Sequence, residues 1–306
     1  MGWTADNIPC QDDRIALVTG ANVGLGFETA RALAAKGATV LMACRSRHKA
    51  ESARTTLLNE GITGLDLIDL NLADLDSVSS AAHLVRERYG QLDLLINNAG
   101  VMAPPFQRSR QGYELQFAVN HLGHMALTTL LLPLMQHQSD ARVVTVTSGM
   151  QYFGKIRWQD PNWQERYDRY GAYGQSKLAN VMFALELDVR LKQQNSGVSS
   201  LAAHPGMART NLQPTTLTAS GEAFEQFTYK LMNPLFQSAA MGALPQLHAA
   251  TATTARGGEH YGPDQFGGIR GYPCRCRVAA TALDPIERQR LWDMSETLIQ
   301  ASPTLD

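Results

Sequence analysis

Tyr173 and Lys177 stand four positions apart in a stretch whose composition predicts the start of a helix. One helical turn brings side chains at this spacing onto one face, one above the other. A phenol keeps its proton to about pH 10, and a nearby ammonium stabilises the phenolate and lowers that pKa. The pair could therefore act as a general acid and base near neutral pH. Tyrosine and lysine also meet at this spacing by chance, so the assignment depends on the rest of the chain.

A glycine-rich turn follows a short apolar run, Ile15 to Thr19, that is typical of a buried parallel strand. Behind the turn lies a segment of helical composition, Phe27 to Lys36, with Gly37 as its end. Strand, glycine turn and helix form the setting in which a dinucleotide's phosphates bind at a helix N-terminus. Many glycine turns are only structural, but these flanks favour phosphate binding. The predicted binding residues are Gly20, Asn22, Val23, Gly24, Leu25 and Gly26.

The same alternation of strand and helix continues along the chain, which predicts a parallel sheet covered on both faces. Further strands are predicted at Ala38 to Cys44, Leu65 to Asp69, Leu92 to Asn97, Ala141 to Thr147 and Val198 to His204, with a short last one near Glu259 to Tyr261. Further helices are predicted at Arg47 to Glu60, Asp74 to Tyr89, Gln111 to Gln136, Gly171 to Lys192 and, with a break near Pro234, Pro214 to Ala252. The predicted fold is an α/β, doubly wound Rossmann domain with a mostly parallel sheet flanked by helices.

The composition, with 44% hydrophobic and 18% charged residues, is that of a folded chain with a sizeable core. Neither an internal repeat nor a Pro/Gly/Ser-rich linker divides it. We therefore predict one domain over residues 1–306. Within it, residues 1–13 form a lead-in, residues 149–170 an inserted segment near the site, and residues 211–306 substrate-side helices and a C-terminal tail.

Several partners are made improbable by the composition. A net charge of −1 argues against a nucleic-acid-binding field. The most apolar run, Met125 to Met135, is interrupted by polar residues and too short to span a membrane, and no signal segment opens the chain. Cys274 and Cys276 lack the spacing of a redox or zinc motif, and no second cluster completes a metal site. Free thiols without a membrane span predict a cytoplasmic protein.

Four motifs stand in the order typical of the short-chain dehydrogenase/reductase family, which the chain resembles from about Asp13 to the end of the sixth strand. These motifs are Thr19 to Gly26, Asn97 to Gly100, Ser148, and Tyr173 to Lys177. Three further stretches resemble the retinol dehydrogenase and WW-domain oxidoreductase branch: Met42 to Arg45, Val119 to His124, and Tyr261 to Pro263 with Gly271 to Pro273. Light-dependent protochlorophyllide reductases are more distant relatives.

The resemblance implies a role for each catalytic candidate. Tyr173 would exchange the proton, and Lys177 would lower its pKa and hold the cofactor's ribose. Ser148 would bind the substrate oxygen on which negative charge develops. Asn120 would anchor a water that connects Lys177 to solvent. Taken alone, Ser148 could be an ordinary strand-end hydroxyl, and Asn120 a polar helix residue bonded to its own backbone.

The resemblance also implies cofactor contacts beyond the glycine turn. Those on the adenosine side would be Asn97, Ala99 and Gly100, and those at the nicotinamide end Pro205, Gly206 and Thr210. Near the adenine, the family's usual Asp-Leu falls on Asn71 and Leu72, with Asp69 as an alternative. Val23 stands where many members have serine, so one hydroxyl contact to the phosphates is expected to be absent.

The stretch after the second strand bears on which dinucleotide binds. A carboxylate there would bind free ribose hydroxyls, whereas a cation would bind a 2′-phosphate. The chain offers Arg45 and Ser46 and no acid. Arg45 could also be a solvated surface charge. The missing acid favours NADP(H) over NAD(H).

Ser148 and Tyr173 lie 25 positions apart, about twice the separation in many family members. The added segment is rich in aromatic residues, which could form a lipophilic pocket or pack the segment onto the domain. We predict that it contributes to substrate binding. The predicted substrate-binding residues are Ser148, Met150, Tyr152, Phe153 and Tyr173.

These patterns predict an NADP-dependent oxidoreductase that moves hydride between nicotinamide and an alcohol or carbonyl carbon of a lipophilic small molecule. One alternative is reduction of an activated carbon–carbon double bond. A non-catalytic dinucleotide sensor is disfavoured because the whole catalytic set is present. The helices at Gln111 to Gln136 and Gly171 to Lys192 are apolar on more than one stripe, which suits either a homodimer interface or deep burial.

Overall fold

The computed structural model describes residues 2–208 and 236–300. Thr210 and most of the predicted helical region after Pro214 lie outside the described residues. The described strands are β1 Ile15–Thr19, β2 Thr39–Cys44, β3 Leu65–Asp69, β4 Leu94–Asn97, β5 Arg142–Val146, β6 Ser199–Ala203, β7 His260–Gln265 and β8 Arg270–Arg275. The described helices are α1 Gly24–Ala34, α2 Arg47–Asn59, α3 Leu75–Tyr89, α4 Leu115–Phe117, α5 Gly123–Leu131, α6 Arg169–Gln193, α7 Ala239–Thr251, α8 Ala280–Leu283 and α9 Pro285–Gln300.

The strands form one sheet in the order β3-β2-β1-β4-β5-β6-β7-β8. All neighbouring pairs up to β7 are parallel, and only β8 runs antiparallel to its neighbour β7. The predicted doubly wound α/β fold is thereby confirmed, with β8 as an unpredicted edge strand. The direction of winding reverses between β1 and β4, and ligands of such sheets bind at the carboxyl ends of the strands at this point.

Both faces of the sheet are buried, because successive strand residues point to opposite sides. Leu17 of β1 belongs to the core cluster on one face, together with residues of α3, α5, α6 and α9. Its neighbour Val18 belongs to the other cluster, together with residues of α1, α2 and α7. This two-sided burial holds the ends of β1, β4 and β5 in fixed positions, and the candidate site lies there.

The helix predicted at Gln111 to Gln136 is shorter and less regular than expected. It begins at Leu115, because the Glu114 carboxylate accepts a hydrogen bond from the Phe117 N–H at 2.7 Å and caps the first turn. A π-helical turn at Ala118–Leu122 separates α4 from α5, and a 3₁₀ turn at Leu132–Leu134 follows α5. The stretch Leu115–Leu134 is long and apolar enough to cross a membrane, but 72% of it is buried, as in a core helix.

Helix α9 covers the apolar face of α6 that could otherwise pair with a second subunit. The rings of Phe183 and Trp292 stack at 5.8 Å, and Arg190 lies over Trp292 at 4.2 Å. Glu186 on α6 accepts from Arg288 on α9 at 3.3 Å. The structure therefore favours deep burial for this helix. A homodimer stays a prediction, and it would need another surface.

Candidate active site

The turn between β1 and α1 brings backbone into close contact that only glycine permits. Gly20 adopts a φ of +67°, a left-handed conformation that suits glycine. A Cβ on Gly26 would lie 2.4 Å from the Gly20 carbonyl oxygen, so any larger residue would push α1 off the turn. Val23 occupies the N-cap of α1 and makes no side-chain capping bond. The first N–H groups of α1 are therefore not capped by that side chain, and a phosphate is a natural partner for them.

A cleft of about 490 Å³ opens beside this turn. All the predicted cofactor residues that precede Asn97 in the chain line the cleft, and so do two that follow it: Gly20, Asn22, Val23, Gly24, Leu25, Gly26, Arg45, Ser46, Asn71, Leu72, Ala99 and Gly100. The sequence reasoning missed other wall residues: Ala43, Lys49, Leu70, Asn98, Val101, Met102, Pro104 and Val119. Of the two candidates near the adenine, Asn71 is in the wall, whereas Asp69 is bound to Arg47 at 3.7 Å.

The structure does not bring Asn97 to this cleft. Its side chain is fully buried and donates from Nδ2 to the Thr128 hydroxyl at 2.9 Å. The next residue, Asn98, lines the cleft and donates from Nδ2 to the Thr19 carbonyl oxygen at 2.7 Å. Because strand neighbours face opposite ways, Asn97 points back into the core at the very end of β4.

Two cations in the cleft wall have no partner among the described residues. Arg45 and Lys49 line the cleft and make no ion pair or hydrogen bond within residues 2–208 and 236–300. Arg47, by contrast, is neutralised by Glu51 at 3.0 Å and by Asp69 at 3.7 Å. The unsatisfied positive charge thus belongs to the two residues that face the cleft.

Tyr173 and Lys177 lie on α6, and both are buried. The hydroxyl of Ser148, which follows β5, lies close enough to Tyr173 to lower the pKa of the phenol. The Lys177 Nζ lies 5.7 Å from the centroid of the Tyr173 ring and donates to the Val146 carbonyl oxygen at 3.1 Å. The structure therefore brings the predicted proton donor, its lysine and its oxyanion group together.

Burial dominates the electrostatics of this group. Burial raises the pKa of Tyr173 to about 12, and the Ser148 hydroxyl opposes this shift. Burial also lowers the pKa of Lys177 to about 8. Lys177 is not among the groups that shift the pKa of Tyr173, so its predicted effect on the phenol stays a prediction.

Asn120 lies in the π-helical turn, a feature common at functional sites. Its Nδ2 donates to the Val101 carbonyl oxygen and to the Ser176 hydroxyl, both at 2.9 Å, and its Oδ1 accepts from the Val101 N–H at 2.8 Å. Both amide donors are thus used within the protein, and Oδ1 keeps one lone pair. Asn120 therefore joins the loop after β4 to α6. This role was expected neither from the water that it would anchor nor from the alternative of a bond to its own helix backbone.

Pro205 and Gly206 follow β6 and lie beside α7. The Pro205 carbonyl oxygen accepts from Gln237 Nε2 at 2.9 Å. A Cβ on Gly242 of α7 would lie 2.8 Å from Leu25 of the glycine turn and 3.6 Å from the Pro205 carbonyl oxygen. The predicted nicotinamide loop thus lies close to the glycine turn, whereas Thr210 lies outside the described residues.

The inserted segment divides into an open and a packed part. Phe153 is 78% exposed, and Tyr152 is 47% exposed with its hydroxyl donating to the Arg277 carbonyl oxygen. Trp158 lies under the Arg290 guanidinium at 4.3 Å, and Trp163 lies under Arg157 at 4.4 Å and is buried. The packing interpretation therefore describes Trp158 and Trp163, whereas Tyr152, Phe153 and Tyr170 keep exposed ring surface.

This division predicts different effects for two aromatic substitutions. Phe153→Ala is expected to raise the KM for bulky apolar substrates about tenfold, the equivalent of about 1.4 kcal/mol of lost apolar contact. Trp158→Ala is expected to lower the free energy of unfolding by about 2 kcal/mol and to leave substrate preference unchanged. Steady-state kinetics and urea unfolding measure the two effects. Equal behaviour of the two variants in both assays would contradict the division.

The described residues hold no cluster of three or more His, Cys, Asp or Glu side chains that could bind a metal. All four cysteines have free thiols, and the sulfur atoms of Cys274 and Cys276 lie 3.8 Å apart.

Comparison with known proteins places this geometry among related chains. Residues 14–220 match the family described as short chain dehydrogenase. Retinol dehydrogenase 12 of Mus musculus is 37% identical over 287 residues, which cover 94% of this chain and 86% of that protein. Retinol dehydrogenase 13 of Homo sapiens is 40% identical over 245 residues, or 78% and 72% of the two chains.

A solved structure shows the same arrangement across nearly the whole chain. An uncharacterized protein from Mycobacterium paratuberculosis is 38% identical and superposes with a TM-score of 0.82 over 98% of both chains. The Pseudomonas aeruginosa RhlG/NADP complex, at 21% identity and a TM-score of 0.65, shares the fold, and the match covers 82% of this chain and 94% of that one.

Proposed function

Because this chain belongs to the short-chain dehydrogenase family and is therefore an NAD(P)-dependent oxidoreductase, we propose that it transfers hydride between NADP(H) and an alcohol or carbonyl carbon. The observation that carries the proposal is the buried phenol of Tyr173, whose pKa the Ser148 hydroxyl lowers and whose ring centroid lies 5.7 Å from the Lys177 Nζ. A proton donor beside an oxyanion group is what a carbonyl oxygen needs as it becomes an alcohol.

The residues of the cleft fit a dinucleotide phosphate. The glycine turn leaves the N-terminus of α1 open to a diphosphate, and Arg45 and Lys49 offer uncommitted cations for a 2′-phosphate. Ala99 and Gly100 would border the adenosine side, and Pro205 and Gly206 the nicotinamide end. Lys177 would hold the ribose hydroxyls. The bound dinucleotide supplies or accepts the hydride.

The protein's own part is to bind, orient and move a proton. Ser148 fixes the substrate oxygen, and Tyr173 donates its phenolic proton to that oxygen during reduction or accepts the proton during oxidation. The buried position of Tyr173 excludes water and would strengthen the hydrogen bonds that Ser148 and Tyr173 make to the substrate oxygen. Asn120 bonds to Val101 in the cleft wall and to Ser176 on α6, and so fixes the separation between the cleft and the catalytic helix.

A lipophilic substrate is the finer part of the proposal. The relatives with the names retinol dehydrogenase 12, 13 and 14 are named for an apolar alcohol. In this chain, exposed Tyr152 and Phe153 lie one short 3₁₀ turn after Ser148 and would provide apolar surface for such a substrate. The proposal is tested by incubating the protein with NADPH and a series of aldehydes and ketones of increasing chain length. Loss of reduced-nicotinamide absorbance should increase with chain length, and no turnover with any member would contradict the proposal.

Arg45 and Lys49, which have no partner in the part of the chain that the structure describes, predict the dinucleotide preference. NADPH should bind at least tenfold more tightly than NADH, because a charge-assisted contact to phosphate contributes about 1.5–3 kcal/mol. Arg45→Ala and Lys49→Ala should each weaken NADPH binding and leave NADH binding unchanged. Fluorescence titration of both dinucleotides against the unmodified protein and the two variants measures the six dissociation constants.

Arg47→Ala provides the matched control, because the Arg47 guanidinium is held by Glu51 and Asp69. It should alter neither affinity by more than about twofold. Equal affinities of the unmodified protein for NADPH and NADH would overturn the assignment to NADP.

We also propose that the enzyme acts in the cytoplasm. The free thiols of Cys10, Cys44, Cys274 and Cys276 support this proposal, because a reducing compartment keeps cysteines in that state.

A further inference from the structure

His124 lies in the first helical turn of α5, is almost completely buried, and contacts two parts of the candidate site. Its Nδ1 lies 3.0 Å from the Asn120 carbonyl oxygen. Its Nε2 lies 2.9 Å from the hydroxyl oxygen of Thr19, the last residue of β1 before the glycine turn. In the sequence, His124 is only the last residue of the Val119 to His124 stretch that resembles one branch of the family, and no role was predicted for it.

Counting donors and acceptors fixes which nitrogen of His124 carries the proton. The Thr19 hydroxyl oxygen already accepts from the Asn98 and Ala99 N–H groups, both at 2.9 Å. Two lone pairs are then used, so the Thr19 hydroxyl can only donate. Its shorter contact is with His124 Nε2 at 2.9 Å, whereas the Ile96 carbonyl oxygen lies at 3.3 Å, so we assign the proton to the bond with His124 Nε2. A carbonyl oxygen only accepts, so His124 Nδ1 must donate to Asn120. Burial lowers the pKa of His124 to about 4, which keeps the ring neutral at physiological pH.

These bonds close into a ring around one segment of the cleft wall. Thr19 holds the Ala99 N–H at 2.9 Å, and Asn120 holds the Val101 N–H at 2.8 Å and carbonyl oxygen at 2.9 Å. His124 then joins Asn120 back to Thr19. Gly100 lies between the two held residues, and a Cβ built on it would be 3.5 Å from the Lys177 Nζ and 3.1 Å from Asn120 Oδ1.

We propose that His124, locked as the Nδ1-protonated tautomer, is a positioning residue that ties the cofactor cleft to the catalytic turn. It holds Thr19 and Asn120 at a fixed separation, and through them it sets the distance of Gly100 from Lys177. It touches no reacting atom. Its effect on catalysis rests on the proposed function, whereas its tautomer and its bonds do not.

The tautomer is tested directly in the unmodified protein. ¹⁵N NMR of histidine-labelled protein at neutral pH, with His124 assigned from the signal lost in His124→Asn, should show protonated Nδ1 and unprotonated Nε2. An Nε2-protonated or doubly protonated ring would overturn the proposal, whatever the enzyme's substrate proves to be. This NMR test needs only one stable variant, the one used to assign the His124 signal. Selective labelling of Asn120, whose carbonyl oxygen contacts His124 Nδ1, can replace that variant.

The coupling is tested by a double-mutant cycle between His124→Asn and Thr19→Val. His124→Asn keeps a donor for the Asn120 carbonyl oxygen but removes the acceptor for Thr19. Alone it should weaken NADPH binding and lower kcat, each about tenfold, while the KM of the carbonyl substrate stays within about threefold. In the Thr19→Val background the same change should cost less than about twofold, because the bond is already lost. Thr19→Ser should retain the effect of His124.

Thr128→Val is the matched control, because it removes another buried hydroxyl of α5, the one that accepts from Asn97. It should lower the unfolding midpoint and leave NADPH binding and kcat unchanged. Equal losses from His124→Asn in both backgrounds would refute the coupling. If no carbonyl substrate is turned over, the NADPH constants of the cycle and the tautomer still decide the inference.

Discussion

Replacing Tyr173 by phenylalanine should lower kcat by about a hundredfold or more, the usual scale for loss of a general acid. The substitution keeps the ring and removes the hydroxyl whose pKa Ser148 lowers. The nascent alkoxide would then lack its proton donor, and Ser148 alone would stabilise it. NADPH affinity should change little, because the glycine turn and the Arg45 region are untouched. Steady-state kinetics on the best carbonyl substrate and an NADPH titration measure both quantities.

Tyr89→Phe is the matched control for this prediction. Tyr89 is the last residue of α3, and its hydroxyl donates to the Asp66 carboxylate of β3 at 2.9 Å. Its loss should leave kcat unchanged. A Tyr173→Phe enzyme that retains full turnover would refute the proton-transfer role.

Replacing Lys177 by methionine should damage both turnover and NADPH affinity, each by at least about tenfold, because two roles meet in one side chain. Methionine keeps most of the apolar stem in the buried site and removes the ammonium that donates to Val146. Lys155→Met, at an exposed position, controls for the loss of one lysine. A Lys177→Met enzyme that loses rate but binds NADPH normally would remove Lys177 from the cofactor site.

The same substitution should change how stability depends on pH. Burial lowers the pKa of Lys177 to about 8 in the folded protein, against 10.5 for the unperturbed group. Between these values the unfolded chain holds a proton that the folded chain has released, so stability rises with pH. The unmodified protein should therefore gain up to about 1.4 kcal/mol per pH unit relative to Lys177→Met from about pH 8 to 10.5. Below about pH 8 both states are charged, and the full cost of burial persists.

What the sequence could predict was set by local patterns. The apolar runs of the first six strands and the glycine turn are short-range signals, and the structure has them close to their predicted bounds. Lys49 could have been found as well, since it lies in the first turn of α2, the helix that begins two residues after Arg45. Asn97 was predicted to contact the cofactor, whereas Asn98 lines the cleft. Asn97 is the last residue of β4, where it is hardest to infer which face of the sheet a side chain points to.

Other features depend on contacts between distant parts of the chain. The π-helical turn around Asn120 leaves no mark in the local composition and is seen only through its bonds to Val101 and Ser176. The burial of α6 is completed by α9, more than a hundred residues further along the chain. The raised pKa of Tyr173 and lowered pKa of Lys177 follow from that burial, and no spacing of residues could have predicted it.

Deuteride transfer tests the central claim most directly. The unmodified protein should convert an apolar aldehyde with NADPH deuterated at C4 of the nicotinamide, and mass spectrometry should find one deuterium on the carbinol carbon. With an enal as substrate, the position of the deuterium distinguishes two reactions. Carbonyl reduction labels the carbinol carbon, whereas reduction of the carbon–carbon double bond labels a former alkene carbon. The account predicts deuterium at the former carbonyl carbon and a rate that falls about a hundredfold in Tyr173→Phe. Deuterium at an alkene carbon, or equal rates for the two proteins, would contradict it.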